Sequence, residues 1–306
     1  MKRFNAAAYK LSMKVMFLNL ILCLAMISAC AGPQAFLPAI TNPTKTHHVG
    51  GFVWRDLLTN DVTGIKRFYG ELFNWEFEGR SSGDTSYALI KKDGSPIGGV
   101  IYLKRKDQKI SESRWLSYLS VPDVDQAVEH VRNGGGDVLK EPKDISDRGR
   151  IAVVRDPQGA ILALLRTSGG DPPDNDISTG NWMLNELWTT DVTAAITFYK
   201  TLAGFKQETI DLPAGETYHQ LIKAERIRAG VVQVPWKDVT PNWLPYIAVS
   251  DISATITLAK TLGGKVLLEP GDTISDDLVA VIADPSGAAF AIQNIGSDKE
   301  AKGDSQ

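Results

Sequence analysis

Cysteine is nearly absent: the 306 residues contain two, Cys23 and Cys30. Both fall in the first thirty positions, so residues 31–306 offer no thiol for a disulfide framework, a nucleophile or a metal site. Histidine is scarce too, with His47, His48, His130 and His219 the only four. No Ser-His-Asp set can be assembled from them. Neither charge dominates: 33 basic residues stand against 36 acidic ones, net −3, with no long run of one sign. A nucleic-acid binder usually shows a basic face or stripe, and none is visible here, so no nucleic-acid partner is expected. There is no glycine-rich phosphate loop after a strand either; Gly134-Gly135-Gly136 follows a helical pattern and reads as a helix stop. What remains is ordinary globular composition, 43% hydrophobic with 7 Trp, 8 Tyr and 10 Phe. The length is enough for two domains of usual size.

One apolar run stands out. Val15–Ala29 has 15 residues, fewer than the roughly 20 a spanning helix needs. Lys2, Arg3, Lys10 and Lys14 precede it and no acid does, which describes a secretory signal. Ile27-Ser28-Ala29-Cys30 resembles the lipobox of bacterial lipoproteins, with Ile in place of the usual Leu. The resemblance implies a signal peptide over residues 1–29 and a lipidated Cys30 as first mature residue. It places the protein in the cell envelope, lipid-anchored to a membrane and facing the periplasm or the cell exterior. An uncleaved anchor ending at Cys30 is the competing reading. Residues 30–50 carry Pro33, Pro38 and Pro43 without helical or strand period and read as a tether.

The remainder is written twice. Asp61-Val62-Thr63 with Phe68-Tyr69 recurs as Asp191-Val192-Thr193 with Phe198-Tyr199. Trp115-Leu116 and Tyr118 recur as Trp243-Leu244 and Tyr246, Glu141-Pro142 as Glu269-Pro270, and Asp156-Pro157-x-Gly159 as Asp284-Pro285-x-Gly287. Such self-similarity marks a duplication, with copies at 51–168 and 182–296, a linker at 169–181 and a polar tail at 297–306. In the first copy a strand at Gly51–Leu58 leads to Asp61, a good N-cap, and Ile65, Phe68, Tyr69, Leu72 and Phe73 fall at helical spacing. Alternating runs at Thr85–Ile90 and Ile97–Leu103 predict strands, as does Trp115–Val121. A helix follows from Asp123 to about Asn133, and the last strand is Ile161–Arg166. The order is β-α-β-β-β twice per copy. The basic stretch Lys104-Arg105-Lys106 with Lys109 has no counterpart in the second copy and reads as a solvated hairpin tip.

This order, with D-V-x(5)-F-Y after the first strand and D-P-x-G before the last, resembles the vicinal oxygen chelate superfamily of glyoxalases, bleomycin-resistance proteins and extradiol dioxygenases. The resemblance implies an α+β fold of two tandem glyoxalase-like domains, each made of two βαβββ modules that curl a sheet around a cavity. Enzymes of the superfamily commonly hold a divalent metal at fixed strand positions, which here are Trp54, Leu116 and Ala163, then Leu184, Leu244 and Ala291. Indole N–H only donates and alkyl groups offer nothing, so no metal and no other cofactor is expected, and no catalytic residue is assigned.

Residues i and i+2 of a strand share a face. Trp54 therefore faces with Asp56, Leu184 with Glu186, Leu116 with Tyr118 and Leu244 with Tyr246, while Tyr87 and Tyr218 match across the copies. The candidate ligand-binding residues are Trp54, Asp56, Tyr87, Tyr118, Glu186, Tyr218 and Tyr246: one carboxylate and two phenols per copy in an apolar wall, a composition suited to small molecules. The same groups also serve as structural hydrogen-bonding residues. His219 stands where it could face the same cavity. The leading expectation is a protein that binds a small molecule at the envelope without the family metal, as resistance members do. A metal-dependent lyase, isomerase or dioxygenase with shifted ligands is one alternative, and a non-catalytic scaffold with a filled cavity is the other.

Overall fold

The computed structural model describes residues 40, 44–82, 85–103, 113–145, 147–174, 176–212, 217–234, 239–271 and 278–296. The signal segment, Cys30, the basic stretch 104–109 and the polar tail lie outside the described residues. Among those described, no helix is long and apolar enough to cross a membrane.

The expected order appears four times. Strand β1 (Phe52–Thr59), helix α1 (Val62–Phe73) and strands β2 (Glu76–Ser82), β3 (Thr85–Lys92) and β4 (Ser95–Tyr102) form the first module. The second holds β5 (Arg114–Ser120), α2 (Val124–Asn133), β6 (Asp137–Ile145), β7 (Gly149–Arg155) and β8 (Ile161–Thr167). The third holds β9 (Trp182–Thr189), α3 (Val192–Ala203), β10 (Lys206–Asp211), β11 (Thr217–Lys223) and β12 (Arg226–Gln233). The fourth holds β13 (Asn242–Val249), α4 (Ile252–Thr261), β14 (Lys265–Leu268), β15 (Val279–Ala283) and β16 (Ala289–Asn294). Each helix begins at an aspartate, Asp61, Asp123, Asp191 or Asp251, whose carboxylate accepts from backbone N–H groups of the first turn, satisfying donors that a helix start leaves unpaired. Polar β2 and β10 had no alternating apolar signal because they are the sheet-edge strands of their modules; all six residues of β10 are exposed.

Two eight-stranded sheets result, ordered β2-β3-β4-β1-β5-β8-β7-β6 and β10-β11-β12-β9-β13-β16-β15-β14. In each, the two first strands pair antiparallel at the centre, β1 with β5 and β9 with β13. Side chains on one face of each sheet form a cup, and those on the other face meet the helices.

The cores on the helical side are shared between domains. One combines α2 and the β7–β8 region with α3, β11 and β12; the other combines α1, β3 and β4 with α4, β15 and β16. The repeated motifs hold this exchange. Tyr69 donates to Asp284 Oδ2 at 3.0 Å and accepts from the indole of Trp115 at 3.0 Å. Its counterpart Tyr199 donates to Asp156 Oδ2 at 2.9 Å and accepts from Trp243 at 2.8 Å. The D-P-x-G aspartates use their other oxygen to accept backbone N–H groups of their own turns. The preceding phenylalanines fill glycine gaps: a Cβ at Gly134 would lie 2.9 Å from the Phe198 ring, and one at Gly264 would lie 2.9 Å from the Phe68 ring. Each F-Y pair thus locks into the other domain.

At the centre Arg55 meets Asn185, its own counterpart in the repeat. Arg55 Nε and Nη2 donate to Asn185 Oδ1 at 3.0 and 2.5 Å, and Asn185 Nδ2 donates to Ser117 at 2.7 Å. The guanidinium also lies 4.9 Å from the Trp182 ring centroid.

The segment read as a tether docks on the fold at its far end. Thr44 and Lys45 donate backbone N–H groups to Asp171 and Gly169 of the linker, and Asp171 N–H returns to Thr46. The buried Asp171 carboxylate collects His48 N–H, Ser120 and Thr167.

Candidate functional site

The structure brings the seven residues singled out from sequence together as two cups, one per sheet. In the first, β1 supplies Trp54 and Asp56, β3 supplies Tyr87 and β5 supplies Tyr118, in the register Trp54 opposite Tyr118 and Asp56 opposite Leu116. Asp56 is fully buried. Its Oδ1 accepts from Trp54 Nε1 at 2.9 Å and from Tyr87 at 2.9 Å; its Oδ2 accepts from Tyr118 at 2.8 Å.

A fifth residue, not foreseen from sequence, completes the set. Arg148, in the turn before β7, is 0% exposed. Its Nη1 donates to Asp56 Oδ2 at 2.9 Å and its Nη2 donates to the Tyr87 hydroxyl at 2.8 Å. The guanidinium carbon lies 5.3, 5.4 and 5.7 Å from the ring centroids of Trp54, Tyr87 and Tyr118, within cation–π range. Burial alone would lower the Arg148 pKa, but Asp56 and the two phenols raise it above its ordinary value. Burial raises Tyr87 and Tyr118, and the Asp56 charge adds to it, so both phenols stay protonated as donors. Ile40 packs into the same cluster with Leu89, Leu116 and Leu165. The first cup is closed by its own side chains.

The second cup repeats the carboxylate and phenols. Glu186 on β9 is 4% exposed; its Oε1 accepts from Tyr246 at 2.5 Å and from Trp188 Nε1 at 2.8 Å. Tyr218 also hydrogen-bonds the carboxylate. Trp188, likewise missed, takes over the indole role from the opposite side along the strand: Trp54 lies two residues before its carboxylate and Trp188 two residues after. The i±2 rule that paired Trp54 with Asp56 would have found it. Among the described residues no lysine or arginine pairs with Glu186, and burial raises its pKa, partly offset by the bonds from Tyr246, Trp188 and Tyr218.

The second cup is also more open. Tyr87 is 2% exposed and Trp54 1%, whereas Tyr218, Trp188 and Leu184 are each part-exposed. His219 alternates to the other face of β11, its Nδ1 3.3 Å from Thr209 Oγ1, and so stands outside the cup.

Glycines make room for both carboxylate–phenol pairs. Gly99 of β4 is in register with Asp56, and Gly230 of β12 with Glu186. A Cβ at Gly99 would lie 1.8 Å from the Tyr87 hydroxyl; one at Gly230 would lie 2.0 Å from the Tyr218 hydroxyl and 3.0 Å from Glu186 Oε2.

The positions matching the family's metal ligands do converge here: Tyr118 pairs with Ala163 and Tyr246 with Ala291, with Leu116 and Leu244 in the same clusters. Trp54, Leu116 and Ala163, like Leu184, Leu244 and Ala291, carry no ligating atom. Among the described residues no three His, Cys, Asp or Glu side chains gather as a metal set. Among the described residues, the family's ligand positions in the cups offer no donor set for its metal.

Two curled sheets, each of two βαβββ modules around a cup, define a tandem vicinal-oxygen-chelate architecture. Residues 45–164 and 181–292 match the Glyoxalase/Bleomycin resistance protein/Dioxygenase superfamily, and the chain belongs to that superfamily. It is 31% identical over 241 residues to CFP32 of Mycobacterium tuberculosis, which carries the name glyoxylase, covering 78% of this chain and 92% of that protein. It is 30% identical over 256 residues to the anthracycline biosynthesis protein DnrV of Streptomyces peucetius, covering 79% and 92%. Among solved structures, the Mn(II)-bound glyoxalase of Novosphingobium aromaticivorans superposes with a TM-score of 0.55 at 16% identity, covering 80% of this chain and 82% of that one. A variant of homoprotocatechuate 2,3-dioxygenase from B. fuscum superposes with a TM-score of 0.53 at 12% identity, covering 85% and 75%. These two likenesses are of fold.

Proposed function

We propose that this protein binds a small organic molecule in the cup of its second domain, without the family metal, while the lipid on Cys30 anchors it in the cell envelope. The observation that carries the reading is Glu186: a buried carboxylate with no basic partner among the described residues, on a wall whose Tyr218, Trp188 and Leu184 are part-exposed. A carboxylate taken from water without a counter-charge costs stability, and a site that keeps one is organised for something it meets there. The first domain holds the same constellation with its charge already compensated, which leaves it a structural role. The relatives named for anthracycline biosynthesis support an organic ligand.

The test is thermal unfolding of the full chain against a panel of small organic acids, amines and neutral aromatics. A ligand of the cup present at a hundred times its Kd adds about 2.7 kcal/mol to stability. At least one compound is expected to raise Tm in the wild type and not in Gly230→Ala, where the added methyl displaces the part-exposed Tyr218 from Glu186. A panel with no stabilising compound, or stabilisation that persists in Gly230→Ala, contradicts the reading.

A further inference from the structure

We propose that the second cup takes a cationic head group, a guanidinium or protonated amine, seated on Glu186 as Arg148 is seated on Asp56. The proposal rests on the ligand-binding reading above and names the ligand's chemical class. The two cups share a central carboxylate, two phenols that donate to it, an indole N–H that donates to it and a glycine that lets a phenol approach. In the first cup those groups surround a guanidinium. Arg148 gives one N–H to the carboxylate and one to a phenol, and it lies within cation–π distance of three rings. This is how a protein recognises an organic cation: one carboxylate for charge, aromatic faces around it, and water excluded.

Among the described residues no lysine or arginine reaches Glu186, and the repeat differs in sequence where the first copy has Arg148. Ile145-Ser146-Asp147-Arg148-Gly149 corresponds to Ile274-Ser275-Asp276-Asp277-Leu278, where an aspartate stands at the arginine's place and the following glycine is gone. Asp277 lies outside the described residues. Exposure agrees: the side chains equivalent to the sealed Tyr87 and Trp54, namely Tyr218 and Leu184, are part-exposed. Arg148 is in effect an internal copy of the ligand.

The experiment is calorimetric titration of the full chain with n-butylguanidinium and n-butylammonium, compared with neutral n-butylurea and anionic pentanoate. One site is expected for the cations, at least about tenfold tighter than for n-butylurea, the order of one charge-assisted hydrogen bond. Glu186→Gln should weaken cation binding at least about tenfold and leave n-butylurea unchanged. Arg148→Ala should raise the stoichiometry for n-butylguanidinium from one to two by vacating the first cup. Should that variant fail to fold, the Glu186→Gln comparison decides alone. Equal affinity for n-butylurea and the cations, lost together in Gly230→Ala, would overturn the cationic assignment while upholding the binding site. Cation binding that survives Glu186→Gln, preference for pentanoate, or no binding of any of the four probes would overturn the assignment as well. The broader panel described above then decides separately on the binding reading.

Discussion

Replacing Asp56 by Asn is expected to cost the fold about 3–5 kcal/mol, because it strands a guanidinium that is fully buried against it. The matching change in the other cup, Glu186→Gln, is expected to act in the opposite direction and to stabilise the ligand-free protein at neutral pH, because burial disfavours the charged form of Glu186. The difference lies in the partner. Asp56 has Arg148, whereas Glu186 has only neutral donors among the described residues. Its pKa is raised by burial, so its protonated form is the one the fold favours. A carboxyl raised in the folded state contributes fully below its unfolded pKa and loses that contribution as pH rises through the folded value. The stability gap between Glu186→Gln and wild type should therefore widen as pH rises from the ordinary glutamate pKa to the raised one, and stay level above it. Urea unfolding of the three proteins across that range measures both signs. Equal destabilisation by the two substitutions would contradict the distinction between the cups.

Asn185→Leu is expected to destabilise by about 1.5–3 kcal/mol, the cost of losing a hydrogen-bond acceptor for a buried charged group. Arg55 is buried where the domains meet, and burial pushes its pKa down to about 9, so it remains protonated at neutral pH. Its Nε and Nη2 both rely on Asn185 Oδ1; among the described residues Nη1 reaches only the Phe52 carbonyl, at 3.3 Å. Leucine also strands Ser117. Asn185→Asp keeps the acceptor and adds a counter-charge. That aspartate would have its pKa depressed by Arg55, so its contribution should be present above the ordinary aspartate pKa and be lost as pH falls through the depressed one. Unfolding midpoints at neutral and acid pH separate the variants: the leucine protein is weak at both, and the aspartate protein is weakened only in acid. A leucine variant as stable as wild type would show that Arg55 finds another partner.

Much of the architecture was legible in the sequence. The duplicated D-V-T, F-Y and D-P-x-G signals gave both copies and their module order, and strand period put Asp56, Tyr118, Glu186 and Tyr246 on the cup face. The motifs' physical work was not legible. The F-Y tyrosines and D-P-x-G aspartates bond across domains, 215 residues apart for Tyr69–Asp284, and no local pattern reveals a partner at that distance. Arg148 escaped notice because it lies in a turn, where no periodicity assigns a face, and its meaning emerges only beside Asp56. Gly99 and Gly230 carry no signal of their own in the sequence, because the hydroxyls they accommodate come from other strands. Trp188 was within reach of the rule already applied to Trp54.

The most direct test of the central claim, one cup closed by an internal cation and the other open to an external one, is a crystal structure of the chain grown with n-butylguanidinium. The account predicts the guanidinium on the Glu186 carboxylate beside Tyr218, Tyr246 and Trp188, and Arg148 still on Asp56 with nothing added in the first cup. A ligand absent from Glu186, or one found on Asp56 with Arg148 displaced, would contradict it.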